Sequence, residues 1–203
     1  MSKKTPSNTP LKANCSLSPI ILHKSPAAES PQRNLTGPPR VCRDIIADIY
    51  NNIQSWNSLH IKGCSILKQI SSLKANEPRL YTSELEEYTN QLDIVVSGLK
   101  KNYIAFQLLN SQVEAFSKLP NVSEPVFFSL KSAKILELFQ FICEAYEKEF
   151  KVKQCVLENI AHSTSKSEAM FLAAYWTHQL NISDNVTFKL ESLLVESNHR
   201  PIK

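Results

Sequence analysis

The chain has 203 residues, with 23 Lys and Arg against 19 Asp and Glu, only three glycines, eleven prolines and five cysteines. That length accommodates one ordinary domain, or a smaller one with an extension. No run of 18 or more apolar residues spans a bilayer, and the polar start has no apolar leader core. The five cysteines, Cys15, Cys42, Cys64, Cys143 and Cys155, are odd in number and scattered, which fits reduced intracellular thiols rather than a disulfide framework.

Charge and proline divide the chain. Seven of the eleven prolines lie in the first 39 residues, and residues 1–43 carry seven Lys or Arg against the single acid Glu29, a net +6. Residues 44–203 carry sixteen bases and eighteen acids, a net −2. With no periodic apolar run to offset the entropy of ordering, residues 1–43 read as a disordered basic tail rich in Ser/Thr-Pro. Its pairs Thr5-Pro6, Thr9-Pro10, Ser18-Pro19, Ser25-Pro26 and Ser30-Pro31 make Thr5, Thr9, Ser18, Ser25 and Ser30 candidate phosphorylation sites, and Thr9 has the downstream base Lys12 that proline-directed kinases favour. Each phosphate adds about −1.5 to −2.

From Asp44 onward the scarcity of Gly and Pro predicts long helices. Helix one is expected over about 44–74, with Ile45, Ile49, Ile53, Trp56, Ile66 and Ile70 on its apolar face and Gly63 inside it, as a close helix crossing or a kink requires. Helix two follows the break at Asn76-Glu77-Pro78, is capped by Thr82 and runs to about Lys118. Its positions Leu85, Tyr88, Leu92, Val95, Leu99, Asn102, Phe106, Leu109, Val113 and Phe116 advance by alternating threes and fours, the rhythm of a coiled-coil or bundle seam. Asn102 is the polar member expected to set register.

After Pro120 and Pro125, helix three is expected over about 129–162 with Ile135, Ile142, Tyr146, Phe150, Val156 and Ile160 on one side. Its acids and lysines, including Glu147 with Lys151 and Glu149 with Lys153, read as a solvated face of i,i+4 pairs. Two shorter helices close the chain, one over about 166–179 behind the capping box Ser165-x-x-Glu168 and one over about 184–196. The fold class is all-α: an elongated bundle or coiled coil of three long helices and a C-terminal helical pair, forming one domain over 44–200 after the tail.

Chemistry is sparse. No Gly-rich phosphate loop, G-x-S-x-G, H-E-x-x-H or C-x-x-C occurs, and His23, His60, His162, His178 and His199 fall in no recognised metal pattern. Catalytic residues, cofactors and metals are therefore not expected. Trp176, His178, Gln179, Glu191, Leu194, Glu196, His199 and Arg200 concentrate aromatic and hydrogen-bonding groups near the C-terminus, the types enriched at interface hot spots, and are candidate partner-binding residues.

The same region carries a family likeness. The run Tyr146, Lys148-Glu149, Lys153, Val156 and Ala161-His162, then Trp176-x-His178-Gln179, then Leu190-Glu191-Ser192-x-Leu194-x-Glu196-x-x-His199-Arg200 resembles the cyclin-dependent kinase 2-interacting protein family. Upstream, Trp56, Leu59, Gly63, Ile70 and Leu73-Lys74 fall in line with it. The resemblance covers about 44–200 and is strongest over the last 60 residues. It implies a nuclear adaptor without enzymatic activity. Its implied partners are cyclin-dependent kinase with cyclin, the S-phase replication kinase, the checkpoint kinase complex, and a AAA-type ATPase assembly of ribosome maturation and replisome turnover with a second small helical protein. An alternative reading, a helical protein binding nucleic acid through Lys3, Lys4, Lys12, Lys24, Arg33, Arg40 and Arg43, lacks aromatics for base stacking in that segment.

Overall fold

The computed structural model describes residues 36–76, 80–119 and 125–200, all helix or connecting turn. Thr5, Thr9, Ser18, Ser25 and Ser30 lie outside the described residues, as does most of the basic tail. Five helices follow one another: α1 (Pro38–Asn76), α2 (Ser83–Ser117), α3 (Ser132–Ile160), α4 (Lys166–His178) and α5 (Asp184–Glu196). No described helix is long and apolar enough to cross a membrane.

Two boundaries differ from the sequence expectation. α1 begins six residues before Asp44, so residues 38–43 belong to the bundle and not to a disordered tail. Proline at a helix start gives up an N–H that would have no partner anyway, and the buried Cys42, Ile45 and Ile46 hold this first stretch on the core. α3 begins three residues after Ser129, because the backbone N–H groups of Ser129 and Leu130 are bound by the Glu196 carboxylate instead of a helical turn.

Thr82 Oγ1 accepts from Leu85 N at 3.2 Å and caps α2. Ser165 Oγ accepts from Glu168 N at 3.2 Å, while the Glu168 carboxylate reaches past the cap to Thr164 N at 2.8 Å. These side chains satisfy amides that the first turn of a helix leaves open.

Side-chain pairings set the topology. Asn52 meets Asn102 while Leu59, seven residues further along α1, lies against Gly98, four residues earlier on α2, so α2 descends beside α1. Phe106 stacks on Tyr146 with ring centroids 4.6 Å apart and Tyr103 on Phe150 at 5.1 Å, so α3 climbs beside α2. Ala169 lies level with Ser71, Trp176 with His60 and Arg200 with Tyr50, so α4 and α5 descend in succession along α1. α2 packs on α1 and α3, whereas α4 and α5 both occupy the α1–α3 face. The result is an up-down-up-down four-helix bundle whose fourth helix is broken.

The ladder on α2 faces inward. Leu85, Leu92, Val95, Leu99, Asn102, Phe106, Leu109, Val113 and Phe116 are buried and Tyr88 is half-buried. α1 and α3 supply the covering surface, so the seam is a core within one chain. Asn102 exchanges a 3.3 Å hydrogen bond with Ser55, and its carbonyl accepts from Asn52 Nδ2 at 2.9 Å, giving the α1–α2 pair one polar layer.

Candidate interaction site at the broken fourth helix

The break between α4 and α5 is built from polar groups that α1 and α3 deliver to the core. Gln179 ends α4 in the left-handed region, at φ 44°. Trp56 Nε1 of α1 donates to Gln179 Oε1 at 3.1 Å. One turn earlier, Trp176 is fully buried and its Nε1 donates to the His60 carbonyl at 3.2 Å. The indole fits only because position 63 has no side chain: a Cβ on Gly63 would lie 2.2 Å from Trp176 Cζ2. The glycine therefore marks a close crossing of α1 and α4.

From α3 come Glu149 and Lys153, which form a 2.9 Å ion pair with neither side chain reaching solvent. This overturns the solvated-face reading for that pair, although Glu147 and Lys151, 2.8 Å apart, do lie on the exposed side. The ammonium donates to the Trp176 carbonyl and lies 4.5 Å from the centre of the Trp176 ring. Glu149 Oε2 accepts from Asn181 N at 3.3 Å and Asn181 Nδ2 at 3.1 Å. Amides and carbonyls freed by the break thus find partners away from water. Burial pushes the Lys153 ammonium below its ordinary value, against the opposing pull of Glu149. His60, stacked parallel on Trp176 with centroids 6.4 Å apart, is pushed down to about 4 by burial and by the Lys153 charge.

A second set of contacts holds the end of α5. The Arg200 guanidinium grips the Glu191 carboxylate with contacts of 2.6 and 2.7 Å and donates to Tyr50 OH at 3.1 Å. His199 Nε2 donates to the Arg43 carbonyl at 2.9 Å, and burial lowers its pKa. Burial raises the Glu196 carboxyl, but hydrogen bonds from Ser129 and Leu130 outweigh it and hold the group below its usual range.

Seven of the eight expected partner-binding residues are therefore engaged inside the chain: Trp176 and Leu194 are buried, and Gln179, Glu191, Glu196, His199 and Arg200 are half-buried, while His178 is exposed. Aromatic, Arg and Glu groups serve an internal helix crossing with the same chemistry that serves an interface. Sequence reasoning missed Glu149 and Lys153, and it also missed the paired role of His60 and Cys64, whose Nε2 and Sγ lie 3.6 Å apart on α1. The signal for the first pair was present: both occupy positions in the 3-4 rhythm running through Tyr146, Phe150, Val156 and Ile160.

What α4 leaves outside is apolar. Met170 is 54% exposed, Phe171 66% and Leu180, just beyond the helix, 68%. Ala174 and His178 are exposed between them, and Phe171 stacks on Tyr175 at 6.0 Å. Met170, Phe171, Ala174 and His178 share one helical face. Residues 169–183 contain no Asp, Glu, Lys or Arg. Among the described residues no three His, Cys, Asp or Glu side chains group to hold a metal ion. Two clefts of about 180 and 210 Å³ lie elsewhere, between α2 and α3 and beside the α1–α2 turn.

No family model matches the chain. Curated relatives do. The mouse (Mus musculus) cyclin-dependent kinase 2-interacting protein is 28% identical over 192 residues, covering 80% of this chain and 91% of the relative. The human (Homo sapiens) protein of the same name is 24% identical with the same coverage, and that of Xenopus laevis is 24% identical over 88% of this chain and 99% of its own. The chain is homologous to the cyclin-dependent kinase 2-interacting proteins. Trp56, Gly63, Glu149, Lys153, Trp176 and Gln179, on which the sequence resemblance is drawn, build the break in the fourth helix.

Proposed function

We propose that the chain is a non-enzymatic nuclear adaptor that binds a cyclin-dependent kinase and links it, with the S-phase kinase, to DNA replication and checkpoint signalling. In the same reading it serves as a subunit of a AAA-ATPase assembly acting in ribosome maturation and replisome turnover. The observation that carries the proposal is homology, over four-fifths of the chain, to proteins named for interaction with cyclin-dependent kinase 2. The uncharged face of α4 supports it physically. Exposed Met and aromatic side chains grouped on one helix, within a stretch of fifteen residues (169–183) that carries no formal charge, suit the burial of a partner's apolar surface.

The test is the affinity of the purified chain for cyclin-dependent kinase 2 with its cyclin. Phe171→Glu is expected to weaken binding by about tenfold or more with an unfolding midpoint close to that of wild type, since Phe171 is mostly exposed and its ring contact is with the half-buried Tyr175. A wild-type chain that binds no kinase complex, or a fluorescent fusion confined to the cytoplasm, would remove the kinase or the nuclear half of the reading respectively.

A further inference from the structure

The four described cysteines sit in different surroundings. Cys42 belongs to the apolar core, Cys143 turns its Sγ to the Phe106 carbonyl at 3.6 Å, and burial pushes both thiols up to about 12. Cys155 is exposed, with Asn159 Nδ2 3.7 Å from its sulfur. Cys64 is half-buried where α1 crosses α4, and polar groups from three helices converge on it. His60, one turn earlier on α1, points Nε2 at the sulfur from 3.6 Å, and Thr177 of α4 brings Oγ1 to 3.7 Å. The Lys153 ammonium of α3 is within electrostatic reach of the same sulfur.

His60 is 8% exposed, and its Nδ1 has no hydrogen-bond partner. A buried N–H without an acceptor is rare and costly, so the neutral ring carries its proton on Nε2, aimed at Cys64. Burial and the Lys153 charge hold the ring down at about 4, so it does not take the thiol proton. It serves as a donor to sulfur. A donor on one side and a buried cation on another favour the thiolate, which is the nucleophilic form. We propose that Cys64 is a redox modification site, a thiol that takes an oxygen atom from a hydroperoxide, and that its oxidation loosens the α1–α4 crossing. In the reaction the thiolate attacks one oxygen of hydrogen peroxide: the S–O bond forms, the O–O bond breaks, and the other oxygen leaves as hydroxide. Sulfur is oxidised by two electrons to the sulfenic acid and the peroxide is reduced. A small thiol then condenses with the sulfenic acid, releasing water and leaving a mixed disulfide, and a second equivalent restores Cys64. The added oxygen enters gaps of 3.6 and 3.7 Å to His60 and Thr177, beside Gly63, where Trp176 already fills the space a Cβ would need. α4 gives way, and with it the exposed face that it carries.

Dilute hydrogen peroxide is added to the full chain with dimedone, which traps sulfenic acids, and each cysteine is followed by mass spectrometry. Cys64 is expected to label about fivefold faster than the more exposed Cys155, with Cys42 and Cys143 silent. Labelling that follows exposure, Cys155 ahead of Cys64, overturns the proposal. In His60→Phe, which keeps a ring and removes the donor, the Cys64 rate is expected to fall about threefold while Cys155 is unchanged; an unchanged Cys64 rate overturns the donor role. Labelling at Cys42 or Cys143 would report an opened bundle in that variant, and the order in wild type, which needs no variant, then decides. Without dimedone, stoichiometric peroxide is expected to lower the urea midpoint of wild type, to leave Cys64→Ser unmoved, and to be reversed by excess dithiothreitol. A midpoint that falls equally in Cys64→Ser overturns the link between Cys64 and the crossing. No partner is added in any of these measurements, so their failure leaves the kinase-binding reading to its own test.

Discussion

A methyl group added at position 63 would meet the Trp176 indole at 2.2 Å, and the sign of Gly63→Ala follows from that distance. Alanine gains about 1 kcal/mol over glycine inside a helix. Overpacking a filled core costs about 1–3 kcal/mol or more, and here it also strains the Trp176 hydrogen bond to His60. The crossing wins. Gly63→Ala is expected to lower stability by about 2 kcal/mol, measured by urea unfolding, and a stabilised variant would show that the indole moves aside freely. His60, on the same crossing, gives a pH signature. Its folded value of about 4 lies below the ordinary 6.5, so between those limits the unfolded chain binds a proton that the fold refuses. Stability therefore falls as pH drops through this window, by up to about 3 kcal/mol at its lower end. His199, also lowered by burial, adds loss in the same direction. In His60→Gln the difference in unfolding free energy between pH 7 and pH 4.5 is expected to shrink, and an unchanged difference would contradict the assignment.

The fourth helix is the element that the amino-acid pattern and the packing describe differently. Its two halves have caps and breaks legible in the residues, since Ser165 and Glu168 mark one start and Ser183-Asp184 the other. The partners that satisfy the break lie on α3. Glu149 and Lys153, i,i+4 on a helix, are chemically the same as the exposed pair Glu147 and Lys151 two residues earlier. Only the phase of the core stripe separates the two pairs, and a half-turn difference decides which is desolvated. Lys153→Met leaves a buried carboxylate facing Asn181 alone and is expected to cost about 3–5 kcal/mol. The double variant Glu149→Leu/Lys153→Met removes both charges and is expected to recover much of that loss. Additive losses in a double-mutant cycle would mean that the two side chains do not act as a pair.

At the scale of the whole molecule, the chain is an antiparallel bundle along which α1, about 58 Å long, provides the common wall. The all-helical class, the five helices and the inward side of each long helix were legible from apolar period, from proline breaks and from the near absence of glycine, because these are local properties with a period of 3.6 residues. The α2 ladder from Leu85 to Phe116 was legible as a seam as well. Whether it faced another chain or its own was not, because a stripe specifies that it must be covered and not by what. Tertiary structure decided that α1 and α3 cover it, that residues 38–43 join the bundle, and that Trp176, Gln179, Glu191, Leu194, Glu196, His199 and Arg200 work within the chain. It also moved the exposed apolar surface to Met170, Phe171, Ala174 and Leu180. α4 is apolar on nearly every side, so its sequence has no phase from which an outer face could be read; the indole over Gly63 sets that phase. The sequence by itself determined which segments are helical and which residues need burial, since both depend on neighbours a few positions away. Only the packing of distant segments could decide which apolar residues find that burial inside the chain and which remain on its surface.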